Sequence, residues 1–306
     1  MTKSNPSVLI VGSMAFDDLE LPTESARDVI GGSATYAALA TCLFAPVRVV
    51  AVVGTDFPES AVTALSDRGV DTSGIERAEG KTFRWAGRYA KNLASRTTLD
   101  TQLNVFADFR PKLPESYRSS DFLLLGNIHP SLQLEVLDNV PNPRFVAADT
   151  MNFWIERERP LLVELLRRID SLVINDEELR ELGEDHNIRR AAARVRALGP
   201  KRLIVKRGEY GAMLFDDHGI FFAPAYPLEE EIDPTGAGDT FAGALVGFLA
   251  QQTEIDDSSV RRGLMVAATV ASFCVEGVGT QRVATLTRAD VAARLDTLRT
   301  LVHFGG

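Results

Sequence analysis

A run of small residues followed by an acidic one, at residues 233–244, has the composition of a phosphate-binding turn. The run reads Asp-Pro-Thr-Gly-Ala-Gly-Asp-Thr-Phe-Ala-Gly-Ala, and an apolar segment with helical spacing follows it. Gly236, Ala237 and Gly238 leave the backbone uncovered where that helix begins, and unpaired N–H groups at a helix N-terminus attract an anion. Asp239 comes next and is placed to take a proton from an attacking hydroxyl. Amides beside a carboxylate suit the transfer of a phosphoryl group to an alcohol.

Taken alone, the run also fits a glycine-rich loop in which Asp239 only caps the helix. The whole stretch, however, resembles the C-terminal signature of the ribokinase-like family, also called the PfkB carbohydrate kinases. Four other segments resemble family motifs and occur in the family's order: Gly31-Gly32 and residues 175–178, 206–211 and 276–279. The chain contains neither G-x-x-x-x-G-K-[ST] nor G-x-G-x-x-G, which excludes a P-loop kinase and gives no support to a dinucleotide-binding unit.

The resemblance implies that three of these segments bind the nucleotide. Asn175 and Glu178 match the N-x-x-E motif, in which Glu178 would hold Mg²⁺ through a water molecule. The same pair also fits a capping box, in which Asn175 caps a helix and Glu178 lies three residues on. The remaining implied nucleotide contacts are Lys206, Gly208, Gly211 and Gly277. The cofactors implied are ATP and Mg²⁺, and a requirement for a monovalent cation is left open.

The acceptor side of the site is predicted from the N-terminal third of the chain. Asp17 matches the family's sugar-binding aspartate, whereas the neighbouring Asp18 is the alternative candidate. Gly31 and Gly32 are implied to let the backbone approach the substrate closely. Further contacts are predicted at Tyr36 and Asn104.

Two positions depart from the family pattern on this side. Tyr36 stands where relatives often have asparagine, and Ala15 stands at the asparagine position of Gly-Ser-x-Asn. Two polar contacts to ribose are therefore missing, and an acceptor that is bulkier or more apolar than ribose is expected.

These residues need an architecture that brings distant loops to one edge. Short apolar runs alternate with segments of helical period, which predicts a doubly wound, mostly parallel α/β sheet flanked by helices. In such sheets, ligands bind at the carboxyl ends of the strands. Strands are predicted at residues 8–11, 47–53, 122–125, 145–148, 172–174, 203–205, 213–215 and 220–222. Helices are predicted at residues 32–44, 59–68, 131–140, 161–168, 177–182, 188–198, 238–251, 260–275 and 289–301.

Two segments, at about 14–30 and 81–109, break this alternation. Phe83, Trp85 and Tyr89 alternate with polar residues, and residues 102–109 also show a period of two, which is typical of strands with two different faces. They predict a small antiparallel lid inserted into a single domain that spans residues 1–306. Its aromatic face is suited either to stacking on a base or sugar or to a lid–lid homodimer.

The composition limits the class of protein. The chain has 306 residues, of which 45% are hydrophobic, and a net charge of −9. These values indicate a globular protein that does not bind nucleic acid. Cys42 and Cys274 are isolated, so neither a disulfide framework nor a zinc cluster is expected. Since no apolar run is long enough to span a membrane and the N-terminus lacks a signal-peptide core, a cytoplasmic protein without membrane contacts is expected.

The sequence therefore predicts an ATP-dependent kinase that phosphorylates a hydroxymethyl group of a sugar or sugar derivative. Asp239 would be the base, and the amides of residues 236–238 would form the anion hole. Two alternatives remain. One is a nucleoside kinase of adenosine, inosine or guanosine type with the same mechanism, and the other is a non-catalytic nucleotide-binding regulator.

Overall fold

The computed structural model describes residues 6–303, so residues 1–5, where no targeting segment is predicted, lie outside it. In chain order, the strands are β1 (Val8–Val11), β2 (Ala15–Glu20), β3 (Ser25–Gly31), β4 (Val47–Val53), β5 (Val70–Arg77), β6 (Phe83–Tyr89), β7 (Arg96–Gln102), β8 (Phe122–Leu125), β9 (Phe145–Ala148), β10 (Ser171–Asn175), β11 (Arg202–Lys206), β12 (Ala212–Asp216) and β13 (Gly219–Ala223). The helices are α1 (Ser33–Thr41), α2 (Glu59–Asp67), α3 (Pro130–Asn139), α4 (Asn152–Arg157), α5 (Arg159–Leu166), α6 (Asp176–Gly183), α7 (Ile188–Arg196), α8 (Ala237–Ala250), α9 (Asp257–Cys274), α10 (Gln281–Thr285) and α11 (Arg288–Val302).

A nine-stranded sheet forms the centre, in the order β13-β12-β11-β10-β9-β8-β1-β4-β5. All pairings from β5 to β11 are parallel, and β12 and β13 add two antiparallel pairings at one end. Strand β1 shows why the parallel strands are apolar throughout. Val8 and Ile10 pack into the core on one face, while Leu9 and Val11 pack into the core on the other. The predicted doubly wound sheet is confirmed, and the strands and helices predicted for it are present with ends shifted by a few residues.

Helices α1 and α8 pack closely because small residues line their contact. A Cβ atom on Gly243 would lie 2.4 Å from the carbonyl oxygen of Ala37, and the Thr41 hydroxyl donates to the Gly243 carbonyl at 2.8 Å. Each helix begins at a predicted site motif, α1 after Gly32 and α8 after Gly236. The close packing therefore fixes the two motifs relative to each other.

A separate four-stranded sheet, in the order β3-β2-β6-β7, forms the lid. It consists of two antiparallel hairpins, β2/β3 and β6/β7, joined by a parallel pairing of β2 with β6. Its strands lie in the two segments that the sequence predicts to project from the main sheet.

The strand predicted within residues 102–109 is wrong, because a 3₁₀ helix spans Asn104–Asp108. Asn104 has a left-handed backbone with φ 49°, which ends the extended conformation. Phe106 stacks on Phe83 and Phe109, with ring centroids 5.2 and 5.5 Å apart. Residues three apart share one face of a 3₁₀ helix, so this spacing suits the observed turn.

One strand and two α-helices outside the lid have no counterpart in the predictions: β5, α4 and α10. Both cysteines are free thiols, with Cys274 buried and Cys42 half-buried. Within residues 6–303, none of the helices combines the length and the apolar character that crossing a membrane would need.

Candidate active site

The turn before α8, residues 233–238 (the signature turn), leaves backbone amides without partners. No side chain caps the helix, and Gly236 at its N-cap has φ 74°. The amides of Gly236 and Gly238 donate to no residue that the structure describes, whereas the Ala237 amide donates to the Pro234 carbonyl at 3.2 Å. Of the three amides predicted to form the anion hole, the outer two are thus left free for an anion.

Tyr36 lies directly against this turn. A Cβ atom on Gly236 would stand 2.3 Å from the Tyr36 ring, so that only glycine fits, both by space and by its left-handed φ. Tyr36 is buried, and its hydroxyl has no hydrogen-bond partner among the residues described. The Tyr36 ring therefore fills the space beside Gly236.

Lys206, at the end of β11, reaches the beginning of α8. Its Nζ lies 3.2 Å from Asp149 Oδ2, and a Cβ atom on Gly238 would be 2.9 Å from the same nitrogen. The ammonium group is therefore held between Asp149 and the signature turn. A cation at this position adds positive charge where the helix N-terminus already favours an anion.

The carboxylates around this lysine have strongly perturbed acidities. Burial, reinforced by the negative charge of Asp149, raises the pKa of Asp239 to about 7, although Lys206 and Arg96 oppose the shift. The same two causes raise the pKa of Glu178 to about 7. Burial alone would lower the pKa of Lys206, but the carboxylates of Asp149 and Glu178 outweigh it and raise that pKa. Such coupling of buried groups in one cleft is typical of an active site.

Asn175 and Glu178 form the capping box that the sequence suggested. The Glu178 amide donates to Asn175 Oδ1, and the Asn175 amide donates to Glu178 Oε2, each at 2.8 Å. This bond occupies one carboxylate oxygen of Glu178 with the backbone, so the side chain is fixed at the carboxyl end of β10.

The donor set suits Mg²⁺ that is bound mainly by phosphates and water. Among residues 6–303, no group of three or more His, Cys, Asp or Glu side chains could hold a metal alone. Mg²⁺ prefers to keep several waters and uses one or two carboxylates beside substrate phosphates. Glu178, buried beside the Lys206 and Asp149 pair, provides such a carboxylate.

Asp17 lies on β2 with its carboxylate against the double-glycine motif. Its side chain is 4% exposed, and a Cβ atom on Gly31 would be 2.0 Å from its Oδ2. Burial, followed by the negative charges of Asp233, Asp239 and Asp18, raises the pKa of Asp17 to about 8. No residue that the structure describes donates a hydrogen bond to this carboxyl group, which leaves it available to a ligand.

Asp18, the alternative candidate, is occupied within the lid. It forms an ion pair with Arg84 at 3.1 Å and accepts a hydrogen bond from the Asp28 amide at 2.9 Å. Its side chain therefore stabilises the lid rather than facing the double-glycine motif.

Gly32 forms the N-cap of α1 with φ 92°. The amides of Ser33 and Ser13 each donate to the hydroxyl of the other, both at 3.1 Å. These bonds tie the double-glycine motif to the loop after β1. Gly31 is the last residue of β3, and the antiparallel pairing of β3 with β2 brings the double-glycine motif against Asp17.

The remaining nucleotide-side predictions fall on loops at the same edge. Gly208 and Gly211 bracket a short 3₁₀ turn after β11 and have φ values of 53° and 81°. Gly277 is buried after α9. Next to it, Arg294 donates to both carboxylate oxygens of Glu276, at 2.9 and 3.0 Å.

Asn104 is not brought to Asp17 by any contact that the structure describes. Its amide nitrogen donates to the Thr82 carbonyl at 2.9 Å, and the residue is exposed. Its observed contact stabilises the start of the lid hairpin, and its role toward an acceptor stays a prediction.

Sequence reasoning passed over two charged residues in the site. Asp149, which holds Lys206, immediately follows the apolar strand β9, and this position at a strand's carboxyl end was the available signal. Arg96 begins the lid strand β7, and its charge lowers the pKa of both Asp239 and Glu178 across the cleft. Its strand is exposed and polar, and no pattern distinguished it.

Comparison with known proteins shows the family and the fold. The family model described as pfkB family carbohydrate kinase matches residues 6–286. Cytidine kinase from Thermococcus kodakarensis is 29% identical over 248 residues, which are 79% of this chain and 87% of that protein. The nucleoside kinase of Burkholderia thailandensis, solved in complex with inosine, has a TM-score of 0.79 at 19% identity and covers 95% of this chain and 98% of its own. Arabidopsis thaliana ribokinase, complexed with ribose and ATP, has a TM-score of 0.76 at 24% identity, with coverage of 95% and 98%.

Proposed function

The chain belongs to the pfkB family of carbohydrate kinases, phosphotransferases with an alcohol acceptor, and we propose that it transfers the γ-phosphate of ATP to a hydroxymethyl group of a sugar or sugar derivative, with Asp239 as the base. The observation that carries the proposal is the arrangement at the start of α8. There, two free amides, the Lys206 ammonium and the Asp239 carboxyl surround one small region.

Each of these groups has a role in the transfer. Asp239 accepts the proton of the acceptor hydroxyl as its oxygen attacks phosphorus, and its raised pKa places the carboxyl near the acidity suited to a base at neutral pH. The amides of Gly236 and Gly238 donate to the transferring phosphoryl group, and Lys206 adds positive charge beside them. Mg²⁺, when bound, neutralises charge on the phosphates.

The other side of the cleft holds the acceptor. Asp17 accepts hydrogen bonds from acceptor hydroxyls, and the backbone at Gly31 and Gly32 approaches the acceptor closely. The lid covers this side and excludes water, which would otherwise compete with the hydroxyl for the phosphoryl group.

Within this class, we favour a nucleoside as the acceptor. A relative that matches 79% of this chain is a cytidine kinase. Tyr36 and Ala15 replace two polar contacts to ribose, and Tyr36 brings an aromatic ring against the signature turn. An acceptor with a large apolar part compensates for the missing polar contacts better than free ribose does.

A panel of acceptors tests the proposal. Purified protein with ATP and Mg²⁺ is assayed for ADP release with nucleosides and with free sugars, and the phosphorylated product is located by mass spectrometry. We expect a higher kcat/KM for a nucleoside than for ribose, with phosphate on the hydroxymethyl group. A free sugar as the better substrate would overturn the nucleoside assignment. If the folded protein releases no ADP in response to any acceptor, the kinase proposal is overturned.

The proposal also covers the domain organisation, oligomeric state and cellular location of the enzyme. We propose a single domain bearing the lid, a homodimer through the exposed edge strand β7, and a location in the cytoplasm, where ATP is available. Light scattering after size exclusion would measure the dimer, and a monomer at micromolar concentration would contradict it. Substituting K⁺ for Na⁺ in the ADP assay would show whether a monovalent cation is required.

A further inference from the structure

Tyr89, the last residue of lid strand β6, makes a hydrogen bond to the signature turn. Its hydroxyl lies 2.8 Å from the Thr235 hydroxyl, and Tyr89 itself is buried. Thr235 is the residue before Gly236, whose left-handed conformation sets the direction of the turn's amides. A side chain of the lid therefore holds the residue next to the predicted anion hole.

The apolar side of the lid completes its packing on the same region. Leu19, Leu21 and Tyr89 form one buried cluster with Val278, and Ile232 packs at its edge. Val278 belongs to the 276–279 loop, and Ile232 precedes the signature turn. The inner face of the lid is thus buried by two loops of the main domain as well as by its own strands.

Asp233 connects these two loops beneath the lid. This fully buried carboxylate accepts the Thr235 amide at 2.9 Å on one oxygen and the Gly279 amide at 2.8 Å on the other. A Cβ atom on Gly279 would lie 2.2 Å from Val29 of lid strand β3. Both loops that Asp233 joins therefore touch the lid, one through Tyr89 and the other through Val29.

We propose that Tyr89 is a positioning residue that links closure of the lid over the acceptor to the shape of the signature turn, acting through Thr235. This proposal rests on the proposed function. When the lid is closed, the Tyr89 hydroxyl fixes Thr235, and Asp233 holds the Thr235 amide from below. When the lid opens, Thr235 loses one of these two restraints, and the amides after it lose part of their preorganisation. The transferring phosphate is then held best only when the acceptor is enclosed.

The substitution Tyr89→Phe removes the hydroxyl and retains the ring that packs in the lid cluster. We expect kcat to fall by about 3- to 10-fold, the effect of one hydrogen bond. The affinity for ATP without acceptor should stay within about 2-fold, while the ratio of ATP hydrolysis to transfer should rise. Tyr117→Phe is the matched control, because the Tyr117 hydroxyl donates to the Asp71 carbonyl at 3.0 Å, away from the lid. The control should keep wild-type kcat and the wild-type ratio. Equal effects of the two variants would overturn the proposal.

A double-mutant cycle with Thr235→Val separates this link from general destabilisation. If Tyr89 acts through Thr235, adding Tyr89→Phe to Thr235→Val costs no further loss of kcat. Independent, multiplicative losses in the double variant would overturn the proposal.

A measurement that does not depend on activity distinguishes failure of the Tyr89–Thr235 link from failure of the proposed kinase function. Hydrogen exchange of the ligand-free protein should be faster in residues 83–89 and 233–238 of Tyr89→Phe than in those of Tyr117→Phe. Unchanged exchange in the signature turn would overturn the link, whatever the reaction. If instead exchange changes as expected but no acceptor supports ADP release in the wild type, the link stands and the proposed function fails.

Discussion

Asp239 and Lys206 illustrate how single residues in this site depend on their neighbours. The Lys206 side chain is 18% exposed and its ammonium group is paired to Asp149, so the charge is retained in a largely buried position. Asp239 shares the same surroundings, and its carboxyl gains a proton more easily than an exposed aspartate. A base with a pKa near 7 binds a proton readily in the transfer step. At neutral pH, a large fraction of it is still ionised and able to act as a base.

For Asp239→Asn, we expect turnover to fall by about 10²- to 10⁴-fold, the usual contribution of a general base. ATP binding, measured by calorimetry, should stay near the wild-type value because the amides and Lys206 remain. Asp257→Asn is the matched control, since Asp257 also lies in the first turn of a helix, pairs with Arg261 at 3.1 Å and belongs to none of the predicted binding segments. If Asp239→Asn turns over as fast as this control, Asp239 is not the base and only caps the helix.

The substitution Asp17→Asn should raise the Tm relative to wild type by an amount that grows as the pH rises. Burial and the neighbouring carboxylates hold the pKa of Asp17 at about 8 in the folded protein, above its ordinary value of 3.8. The unfolded chain therefore releases this proton first, and the wild type loses stability as the pH rises from about 4 to about 8. Asparagine has no proton to lose, so the gain in Tm should grow to a few degrees across this range and then level off.

Thermal melts from pH 4 to 9 measure this difference. Asp18→Asn is the control, because it breaks the ion pair with Arg84 and should give no gain that grows with pH. A constant difference between Asp17→Asn and wild type at all pH values would show that the Asp17 carboxyl is not buried in the folded protein.

The residues of the site differ in how far the sequence alone predicts them. Gly236, Gly238 and Asp239 lie in one continuous stretch, so their chemistry can be predicted from the sequence without knowledge of the fold. Asp149 and Lys206 are 57 positions apart and meet only because β9, β10 and β11 are neighbours in the sheet. Arg96 belongs to a lid strand, and no local sequence pattern predicts that it lies near Asp239 and Glu178.

Helices α1 and α8 show how elements position the site. Their contact depends on Gly243 and Gly247, where added Cβ atoms would lie 2.4 Å from the Ala37 carbonyl oxygen and 3.0 Å from the Thr41 carbonyl oxygen. Backbone atoms cannot move aside as flexible side chains do. A larger residue in α8 therefore shifts one helix relative to the other and separates the two motifs at their N-termini.

We expect Gly243→Ala to lower the free energy of unfolding by about 1–3 kcal/mol, as overpacking usually does. Turnover should fall as well because the motifs separate. Gly247→Ala is the graded control and should cost less, because its Cβ has more room and alanine improves helix propensity. Denaturant unfolding measures both variants, and an equal or larger cost at Gly247 would contradict the packing argument.

The predicted and observed elements agree where burial shapes composition. Central strands such as β1 are apolar on both faces and stand out in the sequence. Strands β5 and β7 lie at sheet edges, and every residue of β7 is exposed, so they carry no such pattern. At residues 104–108, an alternation of apolar residues occurs in a 3₁₀ helix, and the left-handed Asn104 that ends the strand leaves no periodic trace.

At the scale of the whole molecule, the opening of the lid that we propose would expose apolar surface. Leu19, Leu21 and Tyr89 are each at most 8% exposed in the closed arrangement with Val278. Exposing such surface costs about 25 cal/mol per Å², so the open form is disfavoured. Product must leave through this form.

Departure of product is therefore expected to limit turnover. If it does, kcat should fall in proportion to the relative viscosity when sucrose is added, and pre-steady-state mixing should show a burst of phosphorylated acceptor. The absence of a burst together with a kcat independent of viscosity would place the slow step in the chemistry.

The position of Tyr36 offers a way to distinguish one copy of this enzyme from all its relatives in a cell. Its ring separates the start of α1 from the start of α8. The substitution Tyr36→Ala would leave a cavity between these two helix starts. An acceptor analogue or inhibitor bearing a matching bulky substituent would then bind the trimmed protein and be rejected by the native one, which makes Tyr36 a handle for chemical genetics.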